Sequence, residues 1–352
     1  MTEAYRGIIR RYRHYLPIDD KHIVTLNEGN TPLMECKRLR EHLNCPARIL
    51  LKFEGINPTC SFKDRGMTYA ISKACEEGAK AVICASTGNT SAAAAAYAAR
   101  AGIKAVVLIP KGNIAYGKLS QALQYGAKVI QIDGNFDQCL QAVIKIGESY
   151  PVKIVNSVNP NRLLGQMTAA FEIVDHLQKA PDYHFIPVGN AGNISAYWMG
   201  YKQYHQDNKS PNLPKMMGFQ AEGASPIVQG KVIENPETIA TAIRIGNPAC
   251  WKKAEAARDE SKGVIESVTD DEILHAYDLL AQYSGYFCEP ASAASVAGLI
   301  KLKSKLNLQK DQTIVCTLTG HGLKDPDVAI KRTDKPVTCS ANVEEIVKQM
   351  GL

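Results

Sequence analysis

From about residue 48 the chain alternates short apolar runs with longer amphipathic stretches. No other feature limits the possible folds as much. Ile49-Leu50-Leu51-Lys52-Phe53, Ala81-Val82-Ile83-Cys84, Ala105-Val106-Val107-Leu108-Ile109 and Lys128-Val129-Ile130-Gln131-Ile132 read as strands. Helices are expected near 62–77, 91–100, 114–125 and 136–148, ended by Gly78, Gly102, Gly126 and the break before Pro151. Short apolar strands separated by helices belong in parallel sheets covered on both faces. The rhythm resumes with a helix near 162–178, a strand at 183–188, a helix near 194–205 and a strand at 217–221. Helices near 270–283 and 290–304 and a strand at 313–318 complete it. Residues 223–262 are interrupted by Pro, Gly and Asn and read as long loops with short helices. At 352 residues the chain can bury two cores, and no low-complexity linker divides it. The expectation is therefore α/β: two open twisted-sheet domains that share a cleft, with the chain crossing between them.

Composition excludes several function classes. The formal charge of +6 is carried by no dense basic run, and Lys301-Leu302-Lys303-Ser304-Lys305 reads as a polar helix face. Nucleic acid is therefore not an expected partner, while the mild positive bias suits a small anionic substrate. The ten cysteines, at 36, 45, 60, 75, 84, 139, 250, 288, 316 and 339, form no Cys-x-x-Cys pair, and many sit in apolar runs. Reduced, buried thiols are expected rather than disulfides or zinc. The eight histidines form no ligand-spaced cluster, so no metal is expected. Met1-Thr2-Glu3-Ala4-Tyr5-Arg6 has no apolar signal core, and no apolar run is long enough to span a bilayer. The expected location is the cytoplasm, with no membrane partner.

Lys63 lies in Asn57-Pro58-Thr59-Cys60-Ser61-Phe62-Lys63-Asp64-Arg65-Gly66, a turn-rich stretch running directly into helix-forming sequence. A Schiff-base lysine needs such a place, its amine held at an element boundary near a cofactor carbonyl. A lone lysine at a helix start is otherwise a solvated side chain. Gly189-Asn190-Ala191-Gly192-Asn193 joins a strand to a helix. There, backbone N–H groups and the helix dipole can point at a phosphate, or the segment is simply a turn with left-handed Asn and Gly. It is neither Gly-x-Gly-x-x-Gly nor a Walker sequence, which disfavours dinucleotides and nucleoside triphosphates. Ser86-Thr87-Gly88-Asn89-Thr90 also follows a buried strand and opens a helix. Its hydroxyls, amide and N–H groups can hold a carboxylate or merely cap the helix. Arg162, at the end of Asn156-Ser157-Val158-Asn159-Pro160-Asn161-Arg162, can clamp a phosphate or carboxylate through its fork, or lie exposed at a helix start. Leu318-Thr319-Gly320-His321-Gly322 ends the last strand, at the sheet edge where such folds bind ligands. Thr319 offers a hydroxyl there, and His321 is either a general base or a turn residue.

Together these segments resemble the short-form threonine synthases. These belong to the fold type II pyridoxal-phosphate family, with tryptophan synthase β, the serine/threonine dehydratases and the cysteine synthases. The resemblance runs from about Glu28 to Asp325. Glu28-Gly29-Asn30-Thr31-Pro32-Leu33 resembles an N-terminal family motif, and Asn57 to Gly66 the cofactor-lysine motif. Ser86 to Thr90 resembles the asparagine loop, Gly189 to Asn193 the phosphate loop, and Leu318 to Asp325 the segment beside the pyridine nitrogen. The two loops specify cofactor and fold. Asn156-Ser157 with Arg162, and the string Ser61-Phe62-Lys63-Asp64-Arg65, resemble threonine synthases in particular.

The resemblance implies pyridoxal 5′-phosphate as cofactor and a reaction turning O-phospho-L-homoserine and water into L-threonine and phosphate. It implies a large cofactor-binding domain of residues 1–55 and 159–352, and a small domain of residues 56–158 carrying the asparagine loop. Lys63 and Thr87 would be catalytic, with Lys63 also holding the cofactor and acting as the mobile base. Asn89 would bond the ring hydroxyl. Gly189, Asn190, Ala191, Gly192 and Asn193 would bind the cofactor phosphate, with Asn190 able to help at the substrate. Thr319 would meet the pyridine nitrogen, with Thr317, expected on the same strand face, as the alternative. A neutral hydroxyl there would leave the nitrogen largely unprotonated and moderate the electron sink. Ser86, Thr87 and Thr90 would hold the substrate carboxylate; Asn156, Ser157 and Arg162 would hold its phosphate. A homodimer is the family expectation. Two other activities use the same scaffold: cysteate synthesis from O-phospho-L-serine and sulfite, and serine/threonine dehydration. A methylene separates the two phosphorylated substrates, worth only about 1–3 kcal/mol of discrimination. A non-catalytic binding protein would have no use for Lys63.

Overall fold

The computed structural model describes residues 4–111, 116–134, 136–333 and 336–351. The chain opens with α1 (Ile8–Arg11), β1 (Leu33–Glu35), α2 (Lys37–His42) and β2 (Arg48–Phe53). It then crosses to α3 (Lys63–Glu76), β3 (Ala81–Ala85), α4 (Asn89–Ala101), β4 (Lys104–Pro110), α5 (Tyr116–Gln124), β5 (Lys128–Ile132), α6 (Phe136–Ser149) and β6 (Lys153–Ile154). It returns through α7 (Pro160–Leu177), β7 (Tyr183–Pro187), α8 (Gly192–Gln206), β8 (Lys215–Ala221), α9 (Pro226–Gln229), α10 (Trp251–Glu260) and β9 (Val264–Val268). The last elements are α11 (Asp270–Ser284), α12 (Pro290–Leu302), β10 (Thr313–Leu318), α13 (Pro326–Arg332) and α14 (Val343–Met350). The start of the helix expected near 114 lies outside the described residues.

Two sheets result. One runs β1-β2-β10-β7-β8-β9 and the other β5-β4-β3-β6. Every paired strand is parallel to its neighbour except β1, which lies antiparallel on β2. Each sheet is buried on both faces. Along β10, Ile314, Cys316 and Leu318 enter a core with α11 and α12, while Val315 enters the core built by α1, α7, α8 and α10. The smaller sheet packs α3, α4 and α5 on one side and α6 on the other. This two-sided burial is why the strands read as continuous apolar runs.

Three strands, β1, β6 and β9, are additional to those read from the sequence. β1 pairs antiparallel with β2 across a connection that contains α2, and its three residues carry too little apolar pattern to read as a strand. β9 follows the loop-rich segment directly, and its burial alternates only weakly. α10 is one of the short helices expected within residues 223–262; its sequence is polar, and Ala254 and Ala257 supply its buried face.

A buried ionic cluster fixes how α3 meets the larger sheet. Arg65 donates to Glu54 from Nε at 2.6 Å and to Glu172 from Nη2 at 2.7 Å; Lys52 Nζ donates to Glu172 at 2.7 Å and to the Thr31 carbonyl at 2.8 Å. Thr31 and Asn57 complete the Glu54 carboxylate. Burial alone would raise the Glu172 pKa, but Arg65 and Lys52 hold it well below the usual range. Beside this cluster α3 and α7 touch backbone to backbone. A Cβ on Gly165 would stand 2.0 Å from the Arg65 carbonyl oxygen, and one on Gly66 2.9 Å from that of Arg162. This close approach brings the starts of the two helices, and so Lys63 and Arg162, into one place.

Candidate active site

The segments singled out in the sequence meet where strands end and helices begin. The lysine loop is tied to the turn after β10. Phe62 N donates to the Thr319 carbonyl at 3.0 Å, and His321 N donates to that of Cys60 at 3.0 Å. Cys60 takes a left-handed conformation at φ 64° to make that turn, a strained state for a side-chain-bearing residue. The following residues then enter α3, with Lys63 at its first position.

Lys63 is only partly exposed, and its ammonium ion is desolvated. Burial pushes its pKa down to about 7; the Arg162 guanidinium adds to the fall and Glu289 opposes it. An amine poised near neutrality can both take up and return a proton. Asp64 faces away, into the protein, where its carboxylate accepts from Thr59 N at 3.1 Å and Thr59 Oγ1 at 2.9 Å. Burial pushes its pKa up to about 7, against those hydrogen bonds.

Arg162 is not an exposed helix-start residue. It is 1% exposed, with Nη1 on the Val155 carbonyl at 3.3 Å, and burial lowers its pKa to about 10. α7 starts where it does because Asn159 caps Asn161 N and Pro160 occupies the first turn. Ser157 and Asn190 are brought together, with Asn190 Nδ2 donating to Ser157 Oγ at 3.0 Å. Asn190 Oδ1 accepts from Ala249 N at 2.6 Å. Asn156 is used differently from its neighbours. Its amide accepts from Ala85 N and donates to the Ala85 carbonyl, both at 2.9 Å, so it ties the loop after β6 to the end of β3.

The phosphate-loop candidate turns through Ala191, left-handed at φ 62°, straight into α8. The first N–H groups of α8 therefore face outward with no intrahelical partner. Ser86 Oγ accepts from Gly88 N at 3.1 Å, shaping the loop that carries Thr87 and Thr90 into α4. Thr319 Oγ1 pairs with Ser292 Oγ at 3.0 Å, whereas Thr317 Oγ1 pairs with His184 Nε2 at 2.8 Å. The shared strand face expected for the two threonines fails because β10 ends at Leu318, so the alternation stops before Thr319. His321 Nδ1 accepts from Leu323 N at 3.1 Å, the part of a turn residue.

Two residues of this region were not anticipated. Glu289 accepts from Asn89 Nδ2 at 2.9 Å and Ser292 holds Thr319; both belong to Glu289-Pro290-Ala291-Ser292 at the start of α12. An acid directly before a helix-opening proline was the available signal, but it reads equally as capping.

Polar atoms left over define what the site can hold. Among the described residues, eight buried side-chain atoms have no hydrogen-bond partner, and three of them, Asn89 Oδ1, Arg162 Nε and Asn193 Nδ2, belong to the segments singled out here. Such atoms are rare in folded proteins and call for a ligand or water. Pyridoxal phosphate is chemically suited to such a set: it brings a phosphate, a ring with a hydroxyl and a nitrogen, and a carbonyl that a neutral amine can attack. A separate cavity of about 640 Å3, lined by Tyr5, Arg6, Arg10, Arg13, Lys52 and Glu172, contains none of these residues. Arg10 and Arg13 there already pair with Asp20. Among the described residues no group of three or more His, Cys, Asp or Glu side chains could hold a metal ion, and no helix is long and apolar enough to cross a membrane.

Comparison with known proteins agrees. The family described as pyridoxal-phosphate dependent enzyme matches residues 24–320. A threonine synthase of Synechocystis sp. is 59% identical over 350 residues, covering 99% of this chain and 91% of the relative. Those of Mycobacterium leprae and Methanocaldococcus jannaschii are 55% and 51% identical, covering 99% and 97% of this chain and 97% and 87% of the relatives. Among solved structures, a maize serine racemase superposes with a TM-score of 0.75 at 19% identity, covering 99% of this chain and all of that one, which shows the fold. The chain belongs to the pyridoxal-phosphate dependent enzymes and, within them, to the threonine synthase family.

Proposed function

We propose that this chain converts O-phospho-L-homoserine and water to L-threonine and phosphate, with Lys63 and Arg162 at the centre of the site. The carrying observation is the buried Arg162, with an unpartnered Nε, electrostatically coupled to a neutral-poised Lys63. A buried guanidinium with a free donor is suited to an anion such as the substrate phosphate, and it lies beside the amine that must work on the same molecule.

When bound, the cofactor supplies the electron sink that makes the substrate's α- and β-hydrogens acidic. Lys63 Nζ, besides holding the cofactor, takes up and returns those protons. Arg162, Ser157 and Asn190 grip the phosphate, so that it leaves as a stabilised anion and water can add at the neighbouring carbon. Asn156 fixes the loop carrying Ser157, since its own amide is committed to Ala85. Ser86, Thr87 and Thr90 hold the substrate carboxylate at the α4 start, with Thr87 beside the reacting carbons. Asn193 and the backbone of Gly189, Asn190, Ala191 and Gly192 hold the cofactor phosphate. Asn89 meets the ring hydroxyl and Thr319 the ring nitrogen. Thr319 is favoured over Thr317 because its carbonyl is tied to the lysine loop at Phe62, whereas Thr317 turns to His184.

The proposed domains, residues 1–55 with 159–352 and residues 56–158, are supported by the two sheets, whose strands partition the same way. A cytoplasmic homodimer is the accompanying reading; the cysteines, all free, suit a reducing compartment.

The test offers the purified, cofactor-loaded protein O-phospho-L-homoserine, and in parallel O-phospho-L-serine with sulfite. Threonine and phosphate in equal amounts from the first is the expected result. Turnover of the second alone would move the function to cysteate synthesis while keeping cofactor and fold.

A further inference from the structure

We propose that Glu289 is a positioning residue of this site, fixing the amide of Asn89 and through it the seating of the cofactor ring. The proposal rests on the reading of Asn89 as the residue that meets the ring hydroxyl. Glu289 immediately precedes α12, where a side chain ordinarily accepts from the first helical turn, but it makes no such bond. Its carboxylate instead reaches to the other sheet's helix α4, accepting from Asn89 Nδ2 at 2.9 Å through Oε1 and at 3.2 Å through Oε2. Both residues are buried, Glu289 at 1% exposure. An asparagine amide has a donor end and an acceptor end, and a carboxylate takes the donor end. The amide is therefore locked in one orientation, and Oδ1 is the end left buried without a partner.

Glu289 is itself held in place. Its backbone N donates to the Gly320 carbonyl at 3.0 Å, and a Cβ on Gly320 would fall 2.2 Å from Glu289 Oε1. One turn further along α12, Ser292 Oγ accepts from Gly320 N at 3.0 Å and pairs with the Thr319 hydroxyl at 3.0 Å. A single helix start thus fixes both Asn89 and Thr319, the residues read as meeting the hydroxyl side and the nitrogen side of one ring. The ring's position is set by a strut linking the two sheets.

The experiment measures the pyridoxal-phosphate dissociation constant and the absorbance spectrum of the bound cofactor for Glu289→Gln, Asn89→Ala and the double variant. Thermal melting of each protein reports folding. Glutamine keeps the volume but no longer forces the donor end of Asn89 toward itself. E289Q is expected to weaken cofactor binding by about tenfold and to shift the spectrum. The double variant is expected to bind no worse than N89A, because the two residues act as one unit. Wild-type affinity and spectrum in E289Q alongside an impaired N89A would overturn the proposal, as would additive losses in the double variant. An unimpaired N89A would instead overturn the reading of Asn89. Glu289→Ala removes the acceptor and is expected to shift the spectrum as N89A does. A wild-type spectrum in that variant would overturn the proposal even if E289Q does not fold.

Discussion

Lys63 and Arg65 stand two residues apart on the first turn of α3, and their surroundings are opposite. Every direction from Arg65 is answered: Glu54, Glu172, Thr31 and Thr168 all accept from it. Around Lys63 the buried polar atoms of Asn89, Arg162 and Asn193 are left unanswered. Lys52 sharpens the contrast, because it too is a buried lysine whose pKa burial depresses. Lys52 has Glu172 and a carbonyl as permanent partners, whereas Lys63 has the Phe62 ring, 4.2 Å from Nζ, a repelling Arg162 and the field of Glu289. The saturated cluster around Arg65 holds the fold in register; the unsaturated one around Lys63 leaves polar atoms to offer a ligand. Breaking the first should cost stability, and altering the second should cost chemistry.

The comparison breaks first at Lys63. Lys63→Ala should lower phosphate release by at least about 10^4-fold and remove the near-visible absorption of lysine-bound cofactor, while the stripped protein still unfolds cooperatively. Retained turnover in that variant would show that the unsaturated cluster is not the active site. Glu172→Gln should do the converse. It leaves Arg65 and Lys52 under-compensated in the interior, for a loss of about 3–5 kcal/mol in denaturant unfolding. An unchanged midpoint would mean that the ionic cluster is not what fixes α3.

Arg162→Ala should raise KM for the phosphorylated substrate by about 10–100-fold, the worth of one charge-assisted hydrogen bond, with the cofactor spectrum intact. A lost spectrum would place Arg162 at the cofactor instead. The cofactor-stripped protein should also show a pH signature. Folding holds Lys63 neutral above pH about 7, while the unfolded chain stays protonated up to the ordinary lysine range. Unfolding therefore takes up a proton in that window, and stability should rise as pH climbs through it. Lys63→Met should flatten that rise, as followed by urea midpoints across the alkaline range. The smallest effect belongs to an exposed pair such as Lys252–Glu255, where the lysine is 90% exposed. Lys252→Ala should move stability by less than about 0.5 kcal/mol, so a larger loss would undo the claim that burial separates the two kinds of cluster.

Much of the fold was legible because its strands are buried on both faces. Ala81–Ala85 and Thr313–Leu318 announce themselves as apolar runs regardless of partners. β1 was not legible, being a three-residue edge strand, and α10 was legible only as a short helix without a place, because two alanines supply its buried face. Within the site, Lys63, Asn89, Arg162 and the Gly189–Asn193 loop could be picked out because each sits in a short segment of unusual composition at an element boundary. Glu289 could not, since its partner Asn89 is 200 residues away.

By itself, then, the sequence determined the alternating α/β architecture, the family and the residues that present chemistry. These depend on local composition and periodicity. Only the tertiary structure decided which polar groups are spent and which are free. Asn156 is consumed by Ala85, Thr317 by His184 and Arg65 by two glutamates, while Arg162 and Asn89 keep an open atom. The physical reason is that hydrogen-bond saturation and desolvation are properties of a neighbourhood. Here that neighbourhood is assembled from helix starts far apart in the chain, brought to touching distance at Gly66 and Gly165.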